Sequence, residues 1–184
     1  IARFLAQGYS VVAFDPSEGA EERTRLAVEQ AWPSLVHMGL SANASIDRIT
    51  FGNTIEEAVI NADLIQENVP EREALKKSVL MSIDEYAKND AIIASSTSGI
   101  MPSTLQEGLQ YPERLIVAHP FNPVYILPLV ELVGGQATTP QIMDRANEFY
   151  QSIQMKPLII KKESEGHVAD RLMEALWRES LHLV

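Results

Sequence analysis

The sequence predicts an α/β fold, a Rossmann-like doubly wound sheet with helices on both faces. Short apolar runs alternate with segments of helical period along most of the chain, the pattern of βαβ units and a parallel sheet. The runs are apolar throughout, as strands buried on both faces are. Polar residues also follow directly on several of the runs, at Asp15, Asn68, Ser98 and His119, and in such sheets ligands bind beyond the carboxyl ends of the strands.

Composition sets the bounds. The 184 residues, 46% hydrophobic and 22% charged, suit a folded chain of one domain, or one domain and part of another. A net charge of −10 argues against nucleic acid or an anionic membrane as partner. The absence of cysteine excludes disulfides, thiol catalysis and cysteine-ligated zinc. The histidines, His37, His119, His167 and His182, show no metal-ligand spacing, so no metal is expected. No apolar run approaches the roughly 20 residues that span a bilayer. A cytoplasmic location, with a small molecule as partner, is the expectation.

Taken in order, Ile1 to Gly8 reads as the end of an amphipathic helix closed by glycine. Tyr9 to Phe14 is a short buried strand stopped by Asp15-Pro16. A chain that opens in mid-helix is expected to lack the first strand of a nucleotide-binding βαβ unit and its glycine-rich turn. Asp15 then falls where such a fold puts the acid that binds the adenosine ribose, although an aspartate opening a turn explains it equally well.

A helix is predicted over 18–38, with Leu26, Ala27, Ala31 and Leu35 at three-to-four spacing. Ile49-Thr50-Phe51 is a strand. Thr54 and Glu57 form a capping-box pattern before a short helix to about Asn61. Leu64-Ile65-Gln66 is a strand. The helix over 71–86 turns Leu75, Val79, Leu80 and Ile83 inward, and Ala91 to Ala94 is an apolar strand that ends in the hydroxyl cluster Ser95-Ser96-Thr97-Ser98.

Leu115-Ile116-Val117 leads into Ala118-His119-Pro120-Phe121-Asn122-Pro123. Two prolines remove backbone donors and fix φ, which predicts a stiff bend rather than a strand interior. The bend is either a structural turn or a rigid mount for an imidazole and an amide. Leu129 to Val133 is a strand closed by two glycines, 140–153 a helix, and Pro157 to Ile160 a final strand. Residues 1–162 are thus read as one nucleotide-binding domain. From His167 a helical segment with apolar residues on a wide arc, Val168, Leu172, Met173 and Leu176 among them, expects a partner layer. Residues 163–184 are read as the start of a helical domain for substrate binding and dimerisation, with its remainder missing.

Glu131 stands in an apolar strand twelve residues after His119. Burying a carboxylate is costly unless it is paired. Pairing with His119 meets that need and orients the imidazole; an exposed strand edge is the other way to meet it.

Asp15, Ser95-Ser96-Thr97-Ser98, His119-Pro120-Phe121-Asn122-Pro123 and Leu129-Val130-Glu131, in this order and spacing, resemble the L-3-hydroxyacyl-CoA dehydrogenase family. Gln66-Glu67-Asn68-Val69-Pro70-Glu71-Arg72, Ser96-Thr97-Ser98-Gly99, Val124 to Gly135 and Asp170-Arg171-Leu172 through Glu179 are most similar to its carnitine-oxidising bacterial branch. The resemblance implies NAD-dependent oxidation of the 3-hydroxyl of L-carnitine to 3-dehydrocarnitine, with an L-3-hydroxyacyl-CoA as the alternative substrate. His119 is implied as general base, Glu131 as its orienting partner, and Ser98 and Asn122 as donors to the reacting oxygen. Asp15, Asn68, Glu71 and Lys76 are implied at the cofactor, and a homodimer through the helical domain. Acyl-CoA members carry asparagine where Asp170 stands, and an acid there suits a cationic substrate; Trp177 and Tyr125 are candidates to stack on its trimethylammonium group. The same fold also serves as a lens crystallin, which leaves a non-catalytic protein as a further alternative.

Overall fold

Helices and strands alternate throughout residues 1–184 of the computed structural model. Helix α1 (Ala2–Ala6) ends at Gly8, whose φ of 83° lies in the left-handed region. A Cβ there would come within 2.9 Å of the Asn43 side chain, so glycine is required by space as well as by conformation. Strands β1 (Val11–Ala13) and β2 (Ile49–Phe51) pair in parallel on either side of helix α2 (Ala20–Met38). Helix α3 (Ile55–Val59) is capped as predicted, Thr54 Oγ1 accepting from the Glu57 N–H at 3.1 Å. The returning Glu57 carboxylate accepts from the N–H of Asn53, one residue before the cap.

The principal sheet has five strands in the order β3 (Leu64–Glu67), β4 (Ile92–Ser95), β5 (Leu115–Pro120), β6 (Leu129–Gly134) and β7 (Lys156–Ile160). Its two faces carry separate cores. Ile92, Ala94, Ile116, Ala118, Val130 and Leu132 meet Ile142, Ala146 and Tyr150 of α6 (Pro140–Ser152). Ile93 and Leu115 face Val59 of α3, Leu80 and Ile83 of α4 (Glu73–Tyr86) and Leu105 of α5 (Pro102–Gln106). Successive strand residues point to opposite faces, so both faces must be apolar, and the uninterrupted apolar runs follow from that.

Three expectations need correction. The sheet is not parallel throughout: β5 and β6 run antiparallel, while β3–β4–β5 and β6–β7 are parallel. A parallel crossover needs about a dozen or more residues, and the segment from Phe121 to Pro128 between β5 and β6 is too short. Second, His119 and Pro120 are the last two residues of β5, paired with Glu131 and Val130, and the bend begins only at Phe121. A terminal strand position tolerates a residue that cannot donate. Third, Leu75 and Val79 of α4 are only half-buried, and two charged residues, Lys76 and Asp84, complete its inner face beside Leu80 and Ile83. Asp84 is buried because Arg114 meets it at 2.9 Å; Lys76 is buried for the reason given below.

After β7 a short connection leads to α7 (Ala169–His182). No residue of α7 is buried, and Leu172, Met173, Leu176 and Trp177 are all more than 60% exposed. No helix is long and apolar enough to cross a membrane.

Candidate active site

The register of β5 on β6 sets His119 directly opposite Glu131. Residues opposite one another in an antiparallel pair share a face with Cβ atoms about 5 Å apart. The contact is therefore a consequence of strand pairing. Glu131 Oε2 lies 2.9 Å from His119 Nδ1, and Glu131 is fully buried. Its other oxygen, Oε1, accepts from the backbone N–H groups of Val168 at 3.1 Å and Ala169 at 2.9 Å, at the N-terminus of α7. Those N–H groups have no partner within the helix, and the positive end of the helix dipole favours a carboxylate there. The alternative of an exposed strand edge for Glu131 is thereby excluded. With Nδ1 directed at Glu131, Nε2 is the nitrogen of His119 left for chemistry.

The segment after β4 forms the adjacent wall. Its hydroxyls are committed one by one. Ser95 Oγ donates to Glu67 at 2.5 Å, Ser96 Oγ to Asn68 at 2.6 Å and Thr97 Oγ1 to Glu71. Ser98, half-buried, makes no such bond, which leaves its hydroxyl for a ligand. Asn122 is exposed just beyond β5.

Lys76 lies inside this wall. Its ammonium is 3.0 Å from Glu67, 3.5 Å from Glu71 and 3.0 Å from the Val69 carbonyl, and its side chain is 1% exposed. Burial opposes ionisation of Glu71, but the Thr97 hydroxyl, the Lys76 charge and the Gly99 N–H outweigh it and hold the carboxyl below its ordinary range. Of the residues placed at the cofactor by sequence, Asn68 and Glu71 are at the surface of this wall, whereas Lys76 lies beneath them and acts on Glu71. Asn68 is steadied by donating to the Gln66 carbonyl at 2.9 Å.

Asp15 stands exposed at the carboxyl end of β1. The hydroxyl and the N–H of Ser17 both donate to its Oδ1, at 2.7 and 2.8 Å, and lower its pKa. A fixed anionic acceptor at a strand end fits a pair of ribose hydroxyls and repels a ribose phosphate. Asp170, half-buried, is in the first turn of α7. Tyr125, half-buried, packs against the cluster of Ala6, Ala31 and Leu35 from α1 and α2. Trp177, at 62% exposed, stands free on α7.

Three contributors were not picked out as site residues by sequence. Gln66 donates to Ser96 Oγ at 2.8 Å and to the Ala118 carbonyl at 3.2 Å and accepts from Tyr150, which ties β3, β4, β5 and α6 together behind His119. Glu67 anchors Lys76 and Ser95. His167, 1% exposed, packs its ring 5.8 Å from that of His119. Gln66 and Glu67 had a signal: two polar residues ending an otherwise apolar strand. His167 had none at the level of spacing.

Residues 1–164 match the model of the family described as 3-hydroxyacyl-CoA dehydrogenase, NAD binding domain. The chain is 62% identical over all 184 residues to the L-carnitine dehydrogenase of Bacillus cereus and 64% identical to that of Oceanobacillus iheyensis. It covers 56% and 60% of those proteins, little more than half their length. Among solved structures it is similar to 5-formyl-3-hydroxy-2-methylpyridine 4-carboxylic acid 5-dehydrogenase, an NAD+-dependent dismutase, with a TM-score of 0.91 and 36% identity over all of this chain and 60% of that one. The (S)-3-hydroxybutyryl-CoA dehydrogenase of Ralstonia eutropha gives a TM-score of 0.86 and 26% identity, over all of this chain and 67% of that one. The family match spans both strands of the His119–Glu131 pair and the wall beside it, and the chain belongs to the 3-hydroxyacyl-CoA dehydrogenase family, with its NAD-binding domain at residues 1–164.

Proposed function

We propose that this chain carries the cofactor domain and the proton-handling centre of an NAD-dependent L-carnitine 3-dehydrogenase, which converts L-carnitine to 3-dehydrocarnitine. The observation that carries this is the 2.9 Å contact between His119 Nδ1 and a fully buried Glu131. An alcohol that loses hydride from carbon must lose the hydroxyl proton too, and a positioned imidazole is a suitable acceptor. Bound NAD would supply the acceptor for the hydride from C3. His119 Nε2 takes the hydroxyl proton, and Glu131 stabilises the resulting imidazolium through Nδ1–H. Ser98 and Asn122 donate to the reacting oxygen and hold it in line. Asp15 binds the adenosine ribose hydroxyls, and Asn68 and Glu71 line the cofactor with Lys76 behind them.

Two observations favour carnitine over an acyl-CoA. Identity reaches 62–64% with proteins named L-carnitine dehydrogenase, against 26% with the hydroxybutyryl-CoA enzyme. Asp170 adds an acid near the α7 end of the site, suited to a quaternary ammonium. The test is NADH formation by the full-length protein with L-carnitine and, separately, with L-3-hydroxybutyryl-CoA. Turnover of carnitine alone is expected; turnover of the thioester alone moves the assignment to acyl-CoA oxidation.

A further inference from the structure

His167 is used by no step above, yet several constraints converge on it. It is 1% exposed. Its backbone φ of 45° is left-handed, unusual for a residue with a Cβ, and it follows Gly166, also left-handed at 69°. Its Nε2 lies 3.1 Å from the Thr97 carbonyl oxygen. A carbonyl only accepts, so Nε2 bears the proton, and in the neutral ring Nδ1 is a bare lone pair. That Nδ1 is buried with no partner in the chain. A strained backbone and an unpaired buried nitrogen at one residue persist only where the surroundings hold both, and such residues cluster at functional sites.

The surroundings are the parts of the proposed site. Thr97 directly precedes Ser98, and its hydroxyl is bound to Glu71. The two residues after His167, Val168 and Ala169, give their N–H groups to Glu131. The neighbouring Gly166 N–H donates to the Gly99 carbonyl at 3.2 Å, on the other side of Ser98. The segment 166–169 therefore grips the Ser98 turn from both sides and the His119–Glu131 pair from behind, with His167 at the point where the grips meet.

We infer that His167 is a positioning residue: its Nε2–H, donated to the Thr97 carbonyl, fixes the Ser98 hydroxyl in register with His119. This rests on the proposed dehydrogenase reading for its kinetic consequence, but not for its hydrogen bond. Substrate and cofactor can bind without that register, whereas proton and hydride transfer require it.

The test uses His167→Phe and His167→Gln in the full-length protein, assayed with L-carnitine and NAD. Phenylalanine keeps the ring and loses the donor; the glutamine amide can return a donor to the Thr97 carbonyl. The phenylalanine variant is expected to lose kcat by about a hundredfold, the scale of a misplaced reacting group, with KM for NAD and Tm close to wild type, and the glutamine variant to recover most of it. Unchanged kcat in His167→Phe, or glutamine no better than phenylalanine at equal Tm, overturns the inference. Should His167→Phe fail to fold, ¹⁵N shifts of the wild-type imidazole decide: a proton on Nε2 is expected, and protonation on Nδ1 alone overturns the inference. A wild-type protein inactive on carnitine and on L-3-hydroxybutyryl-CoA would defeat the functional proposal, while the ring protonation would still decide the role of His167.

Discussion

Glu131 bonds His119 with one carboxylate oxygen, at 2.9 Å, and the N-terminus of α7 with the other, at 3.1 and 2.9 Å. A fully buried carboxylate in an apolar strand is thus satisfied by an imidazole on one side and two backbone donors on the other. The orientation of His119 and the seating of α7 consequently depend on the same group.

The two dependences can be separated by substitution. Glu131→Gln keeps an oxygen for the Val168 and Ala169 N–H groups and removes the charge proposed to stabilise the imidazolium. It is expected to leave Tm near wild type and lower kcat. Glu131→Ala strips the partners from His119 and from the first turn of α7 together. Removing one partner of a buried charged pair costs about 3–5 kcal/mol, so a large fall in stability by calorimetry is expected. Equal stability losses in both variants would mean that the charge, not the hydrogen bonding, seats α7.

His119→Ala removes the proposed proton acceptor and is expected to leave the sheet intact, since the residue is at the end of β5 rather than in either apolar core. Loss of a positioned general base lowers turnover by roughly 10²–10⁴-fold. NAD affinity, measured by calorimetry, is expected to hold. A variant that retains wild-type kcat would remove His119 from the chemistry.

Much of this geometry was legible from residue order. The central strands β4, β5 and β6 were recognisable because burial on two faces demands a nearly unbroken apolar run, and Glu131 drew attention because it interrupts one. What escaped was set by tertiary pairing. The antiparallel turn of β6 follows from a connection too short for a crossover, a constraint of distance rather than of residue type. Pro120 reads locally as a break, yet it completes β5 because a terminal position needs no donor. Lys76 reads as a surface lysine on a helix, and only the strand residue Glu67, nine positions earlier in the chain, explains its burial. His167 is defined by a left-handed backbone and by Thr97, seventy residues away, neither of which has a periodic signature.

Glu71 gives a pH signature. Its folded pKa is held below the ordinary 4.5, so the folded state binds this proton less readily than the unfolded chain. Its contribution to stability is therefore fully present above about pH 4.5 and is lost as pH falls through the lower folded value. Glu71→Gln is expected to flatten that part of the stability profile, measured by denaturant unfolding at a series of acidic pH values. The wild-type slope surviving in the variant would assign the acid loss to other carboxylates.

Asp15 offers a test of the proposed cofactor site. Hydrogen bonds from the Ser17 hydroxyl and N–H hold its carboxyl below the ordinary 3.8, so it stays anionic at any pH near neutrality. Asp15→Asn keeps an acceptor for a ribose hydroxyl and removes the charge that repels a 2′-phosphate. The expected result is a higher KM for NAD together with a lower KM for NADP, read from initial rates with each. A change in neither would place the adenosine ribose away from β1.

Asp170 offers a test of the proposed substrate. It lies half-buried in the first turn of α7, where an acid also complements the helix dipole, worth about 0.3–1 kcal/mol at an exposed site. Asp170→Asn separates the two roles, because asparagine keeps the shape and loses the charge. If the charge serves only the helix, Tm falls slightly and kinetics do not change. If it attracts the trimethylammonium group, KM for L-carnitine rises while KM for NAD and kcat hold, since that cation is remote from the bond being broken and binds equally in ground and transition states. The second pattern is expected. A neutral 3-hydroxy acid of the same length, tested in parallel, should show no dependence on Asp170, because only the cationic end of carnitine reports on the acid.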